Sequence, residues 1–168
     1  MQTIKKNGAK VTVIKSAVAL SLAAAVAACS MLPHRDLPDE VAFARENLYP
    51  EGIAYQPDAN AFLVSSLRLG EIGAVSLDGH YRKLVSDPEL LSVIGIKYDK
   101  KRDSILACNT HPGVSAVKTE KPKDSVAQLM VYRATDGKRS AAYDLGALRP
   151  GVPHFCNDIA TDPAGNVT

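Results

Sequence analysis

The segment GIAYQPDANAFLVSS (52–66) lines up with GIKYDKKRDSILACN (95–109), the two Gly-Ile pairs lying 43 residues apart. Each copy reads Gly-Ile-x-Tyr, then a polar turn, then a short apolar strand that ends in small polar residues. A third copy, DIATDPAGNVT (158–168), starts 63 residues after the second. The excess falls in THPGVSAVKTEKPKDSVAQ (110–128), a stretch rich in Pro, Gly and Lys that reads as a loop. Between the copies sit two alternating pairs of runs, EIGAVSLDGHYRKLVSD (71–87) and AQLMVYRATDGKRSAAYDLG (127–146), each hinged on an Asp-Gly pair. Asp-Gly between alternating runs is a strong hairpin signal, because glycine takes a positive φ without steric cost.

A repeat of this kind limits the fold more tightly than composition does. Four short antiparallel strands in 43 residues is the plan of one propeller blade. The expected fold class is therefore all-β: about two and a half blades of a six-bladed β-propeller over residues 51–168, with an unrelated β-sandwich as the competitor. A closed ring has about four to eight blades, so six at this period would take about 260 residues. By this measure the chain reads as the front part of a ring.

The N-terminal part has a different character. Lys5, Lys6, Lys10 and Lys15 lie in the first 28 residues, which hold no acid, and they supply the whole of the formal +2 charge; the remainder is −2. The body is thus too acidic to draw nucleic acid through its phosphates. SAVALSLAAAVAA (16–28) is an uncharged apolar run too short to span a bilayer comfortably, with the length of a signal-peptide core. It ends in Val26-Ala27-Ala28-Cys29, which resembles a bacterial lipobox in which the Cys29 thiol takes the lipid. The expectation is a lipoprotein signal peptide over 1–28 and a lipid anchor in the cell envelope. Ser30 in place of an acid implies, by that resemblance, the periplasmic face of the outer membrane. Residues 29–50, with Pro33, Pro38 and Pro50 and mixed charges, read as a tether carrying one helical turn around Glu40–Arg45.

Two further cysteines, Cys108 and Cys156, read as buried core residues. A disulfide between them is the alternative that an oxidising compartment would allow. No Cys-x-x-Cys or His pairing marks either as a metal ligand.

YPEGIAYQPDANAFLVSS, the 43-residue period and CNDIATDPAGNVT together resemble the senescence-marker-protein/gluconolactonase/luciferin-regenerating-enzyme family, which is related to the paraoxonases. The resemblance covers residues 49–168. It implies a six-bladed propeller with calcium in its central channel and hydrolysis of a small lactone-like substrate. Glu51 matches the family's metal-binding glutamate in Pro-Glu-Gly, and Asn157 matches its asparagine in Asn-Asp. Asp158 matches the neighbouring aspartate, which in paraoxonase-like members helps to hold a second calcium. Calcium takes about six to eight oxygen ligands, and inner strands that start near a propeller axis can each offer one.

Other readings of these residues remain open. Glu51 can be a solvated loop carboxylate, and Asn157 and Asp158 can cap a turn. In the second unit the matching position holds Val93-Ile94, which has no side-chain oxygen, and Asn109, at the end of the following strand, is the residue there that could face the channel. His154 is the candidate general base, with His111 as another histidine that could serve. Asp162, Pro163, Gly165 and Asn166 read as a β-turn.

The leading functional expectation is a calcium-dependent hydrolase of the lactonase type, incomplete and inactive as 168 residues because the resemblance places further ligands in later blades. A non-catalytic envelope propeller that binds a ligand is the rival. A truncated product without function is the third reading, since GNVT stands where relatives continue Gly-Asn-x-Tyr-Val-Thr-Asp.

Overall fold

The computed structural model describes residues 37–168. The signal peptide and Cys29 lie outside the described residues. Eight strands form two four-stranded antiparallel sheets. The first is β1 (Ile53–Gln56), β2 (Ala61–Ser65), β3 (Glu71–Ser76) and β4 (Tyr81–Ser86); the second is β5 (Ser92–Asp99), β6 (Ser104–Thr110), β7 (Ala127–Arg133) and β8 (Arg139–Asp144). In both sheets the strands neighbour one another in chain order. This is the meander expected from the repeat, and the two sheets are two propeller blades.

The repeat is visible atom by atom. The β1–β2 turn places Asn60 at φ 47°, and the β5–β6 turn places Asp103, 43 residues on, at the same φ. Asn and Asp accept this left-handed backbone better than other side chains with a Cβ. The tyrosine of each Gly-Ile-x-Tyr closes its own turn: Tyr55 Oη donates to Asn60 Oδ1 and Tyr98 Oη to Asp103 Oδ1, both at 3.3 Å. The two Asp-Gly hinges behave as the sequence predicts, with Gly79 at φ 83° and Gly137 at φ 69° joining β3 to β4 and β7 to β8.

Strand alternation divides each sheet into two faces. Leu63, Ile72 and Ala74 of the first sheet face the second and meet Ile105, Ala107 and Met130 there, all buried. At roughly 1.5–3 kcal/mol for each large aliphatic side chain buried, this shared layer is the main force holding the blades together.

The opposite face of the first sheet is covered by residues 38–50, part of the segment 29–50 that the sequence reads as a tether. Leu48 packs with Val64 and Val75, and Val41 and Phe62 flank them. Arg45 Nε donates to Glu71 Oε1 at 2.9 Å, Tyr81 Oη donates to the same oxygen at 2.9 Å, and the Phe43 ring stacks on Tyr81. The Ser66 hydroxyl donates to the Leu48 carbonyl at 2.6 Å. Glu71 is buried, so its charge needs these partners. The helical turn expected around Glu40–Arg45 is absent; residues 41–45 run without regular structure into a turn at 46–47. Polar and Pro-rich composition concealed a segment whose few apolar side chains fall where the sheet leaves room.

A second correction concerns the cysteines. Cys108 and Cys156 form a disulfide with a Cα–Cα distance of 5.2 Å. Both are buried, as expected of core residues, but they are covalently joined. Cys108 lies on the face of β6 turned away from the first sheet, and the segment leading into the third repeat crosses that face.

Beyond this crossing, Ala160 and Thr168 exchange backbone hydrogen bonds at 2.8 and 2.9 Å, Thr161 bridges to Val167, and Asp162–Gly165 form the turn between them. The third copy thus starts a hairpin as its alignment with the first two requires.

Candidate cation site

The inner strands of the three units run side by side because two glycines let them. A Cβ on Gly52 would collide with the Ile94 carbonyl oxygen. A Cβ on Gly95 would sit 2.5 Å from the Asn157 carbonyl oxygen and 2.7 Å from Asp158 Cα. Both obstacles are backbone, which cannot swing aside. The Gly of each Gly-Ile pair is therefore the contact point with the next unit.

These contacts fix the alignment of the units. Glu51 precedes Gly52, Ile94 precedes Gly95, and Ile94 and Asn157 supply the carbonyls that their neighbours' glycines touch. Glu51, Ile94 and Asn157 occupy one position in three successive units, as the sequence alignment has it. Gly95 N–H donates to Asn157 O at 2.9 Å, joining the third inner strand to the second. Between the first and second units Val93 N–H donates to Ser66 O at 3.0 Å, and a side chain adds a second link: Gly52 N–H donates to Ser65 Oγ at 2.7 Å, and that hydroxyl donates to Ile94 O at 2.8 Å.

The consequence is a hollow of about 260 Å³ lined by Glu51, Gly52, Ile53, Ile94, Gly95, Ile96, Asn157 and Asp158. All three predicted metal residues lie on it. Glu51, Asn157 and Asp158 are exposed. Among the described residues, neither the Glu51 carboxylate nor the Asn157 side-chain amide makes a hydrogen bond or ion pair. Asp158 has one oxygen committed, since Oδ1 accepts the Ile159 amide at 2.8 Å; the capping reading is realised there in part.

The donors are hard oxygens, two carboxylates and an amide, with no sulfur or imidazole among them. That set fits calcium in kind and disfavours zinc or copper. In number it falls short of the roughly six to eight oxygens calcium takes, so further donors are needed. Among the described residues no group of three or more His, Cys, Asp or Glu is placed to hold a metal. The second unit contributes only an aliphatic side chain at its equivalent position, Ile94.

The remaining candidates lie elsewhere. Asn109 is fully buried in a structural role: its Oδ1 accepts the Leu91 amide, and its Nδ2 donates to Glu89 O and Gln128 Oε1. His154 is not on the hollow; its Nε2 is 2.7 Å from the Arg149 carbonyl oxygen, to which it donates. His111 is not on the hollow either, and its Nδ1 is buried with no hydrogen-bond partner among the described residues. Ser65 carries more of the site than its sequence signal announced. That signal was the recurrence of small polar residues at the end of the second strand of each unit.

No family model matches the chain, and no curated protein matches it. Among solved structures it is similar to the crystal structure of a nidogen/laminin complex, with a TM-score of 0.51 and 20% sequence identity. The match covers 71% of this chain and 39% of that one. At this identity the likeness speaks for the fold alone: the chain is built as part of a β-propeller, and it spans about 39% of the length of that neighbour.

Proposed function

We propose that this chain supplies the first blades of a calcium-dependent lactonase of the senescence-marker-protein/gluconolactonase/luciferin-regenerating-enzyme type, exported and anchored in the envelope through lipid on Cys29. The observation that carries the reading is the meeting of Glu51, Asn157 and Asp158 on one hollow between the inner strands. Glu51 and Asn157 would hold the ion from equivalent positions in the first and third units, with Asp158 beside them. Bound calcium would polarise a lactone carbonyl and stabilise the charge that develops on attack by water. The chain's own part is to orient. Ser65 and Gly95 fix the backbone beneath the ligands.

A buried disulfide supports the export half of the reading, since such bonds persist in oxidising compartments and are rare in the cytosol. The aliphatic Ile94 favours the rival reading, an envelope propeller that binds a ligand without turning it over.

Hydrolysis of a small aldonolactone, followed by acid release, separates the two. For a ring completed by further blades, the hydrolase reading expects turnover with calcium that is lost on chelation and in Asn157→Ala. Turnover indifferent to both, or absent under every condition, contradicts it. Radiolabelled palmitate incorporated by the intact chain and not by Cys29→Ala tests the anchor; equal labelling of both rejects it.

A further inference from the structure

Ser65 and Cys108 lie 43 residues apart, at the same position in consecutive units. Each ends the apolar part of its blade's second strand, and each reaches across to the next unit just where that unit's inner strand begins. Ser65 does so through its hydroxyl, which donates to Ile94 O at 2.8 Å. Cys108 does so through the bond to Cys156, the residue immediately before Asn157. Its sulfur also lies 3.8 Å from Asp158 O.

We infer that the Cys108–Cys156 bond is a positioning device for the cation residues Asn157 and Asp158, doing covalently what the Ser65 hydroxyl does for Ile94. This rests on the calcium reading of the hollow.

The difference in chemistry follows from what each segment can bury. Ile94 is buried, and Val93 beside it packs in the core between the sheets and donates its amide hydrogen to Ser66 O at 3.0 Å, so packing and a backbone bond already hold this stretch and the Ser65 hydroxyl completes the register. Asn157 and Asp158 must keep their oxygens exposed to serve an ion, and Phe155 before them is exposed as well. Their backbone is tied to β5 by the single Gly95–Asn157 hydrogen bond. Burial of Cys156 and Ile159 on either side, against Ala127, cannot by itself fix such a segment. A disulfide one residue away can, because it removes conformations from the chain between its ends instead of relying on apolar area. The bond spans 48 residues, including the long 111–126 loop, so without it the approach to Asn157 is leashed only through that loop and β7–β8.

Reduction opens the device in a balanced exchange. One thiolate of an added dithiol attacks the Cys156 sulfur and Cys108 departs as thiolate. The second thiol then displaces Cys156, leaving two protein thiols and the dithiol as its own cyclic disulfide.

The test compares the 168-residue chain oxidised, the chain reduced with dithiothreitol, and the Cys108→Ala/Cys156→Ala double variant. Amide exchange is read at Gly95 and at the core amides of Leu63 and Ile105, and calcium affinity is read by calorimetry. The positioning role expects core protection to persist, Gly95 exchange to speed up about tenfold, and calcium affinity to fall by about 10–100-fold. Equal Gly95 protection with and without the bond overturns it. So does loss of core protection together with that of Gly95 in both the reduced chain and the double variant, which would make the bond a support for the whole sheet. If Gly95 protection falls alone but the oxidised chain binds no calcium, the lock stands and the calcium reading fails.

Discussion

Gly95 donates its amide hydrogen to the Asn157 carbonyl at 2.9 Å, and a Cβ on Gly95 would sit 2.5 Å from that same oxygen. One residue is therefore both hydrogen-bond donor and spacer for the segment that carries two of the three candidate ligands.

Gly95→Ala should push residues 157–158 off β5, because the atoms in the way are backbone. A cost of about 1–3 kcal/mol is expected for such overpacking, seen as a lower urea midpoint. Calcium affinity should fall with it. A variant as stable as the parent, with unchanged affinity, would show that the third inner strand does not lie against Gly95.

Ser65→Ala removes the partner of the Gly52 amide and of the Ile94 carbonyl in a buried setting. Leaving such groups unsatisfied costs about 1–3 kcal/mol. Ser140→Ala, which removes an exposed hydroxyl, should stay within about 0.5 kcal/mol. Equal effects of the two in urea unfolding would contradict the assigned role of Ser65.

The contrast between Ser65 and Cys108 also shows what could be read from the residues alone. The blade plan was legible because period-two alternation, Gly-Ile-x-Tyr and Asp-Gly are local signals, and each maps onto a turn or strand that forms by itself. The placement of Glu51 and Asn157 on one hollow was legible through the repeat, since equivalent positions in stacked units must come together, and Asp158 is there because it follows Asn157. The disulfide was not. Its two ends are brought together by how the third unit crosses the second, and nothing local distinguishes a bonded buried cysteine from a free one. The docking of residues 38–50 was hidden for a related reason. Val41, Phe43 and Leu48 lack helical or strand periodicity and find their partners only on an assembled sheet. Glu71 is buried where Arg45 comes to meet it, a partnership that no local signal announces.

The alkaline limit of the fold should reside in two phenols. Burial, and then the Glu71 carboxylate, push Tyr81 well above the usual tyrosine range; burial, and then Asp87, do the same to Tyr132. The unfolded chain ionises these groups near about pH 10 while the folded chain resists, so their stabilising contribution is full below that pH and is lost as pH rises through the folded values. Urea midpoints should hold level to about pH 9 and then fall. Tyr81→Phe and Tyr132→Phe should each make that fall shallower, and an identical slope in both variants would refute the assignment.

The central claim is that residues from the first and third units converge on one cation, and calcium titration calorimetry of the chain tests it most directly. Calcium should bind, Glu51→Gln and Asn157→Ala should each weaken binding by about tenfold or more, and His154→Ala, which alters a side chain turned to the Arg149 carbonyl, should leave it unchanged. Absence of calcium binding, or an affinity untouched by both Glu51→Gln and Asn157→Ala, would contradict the account.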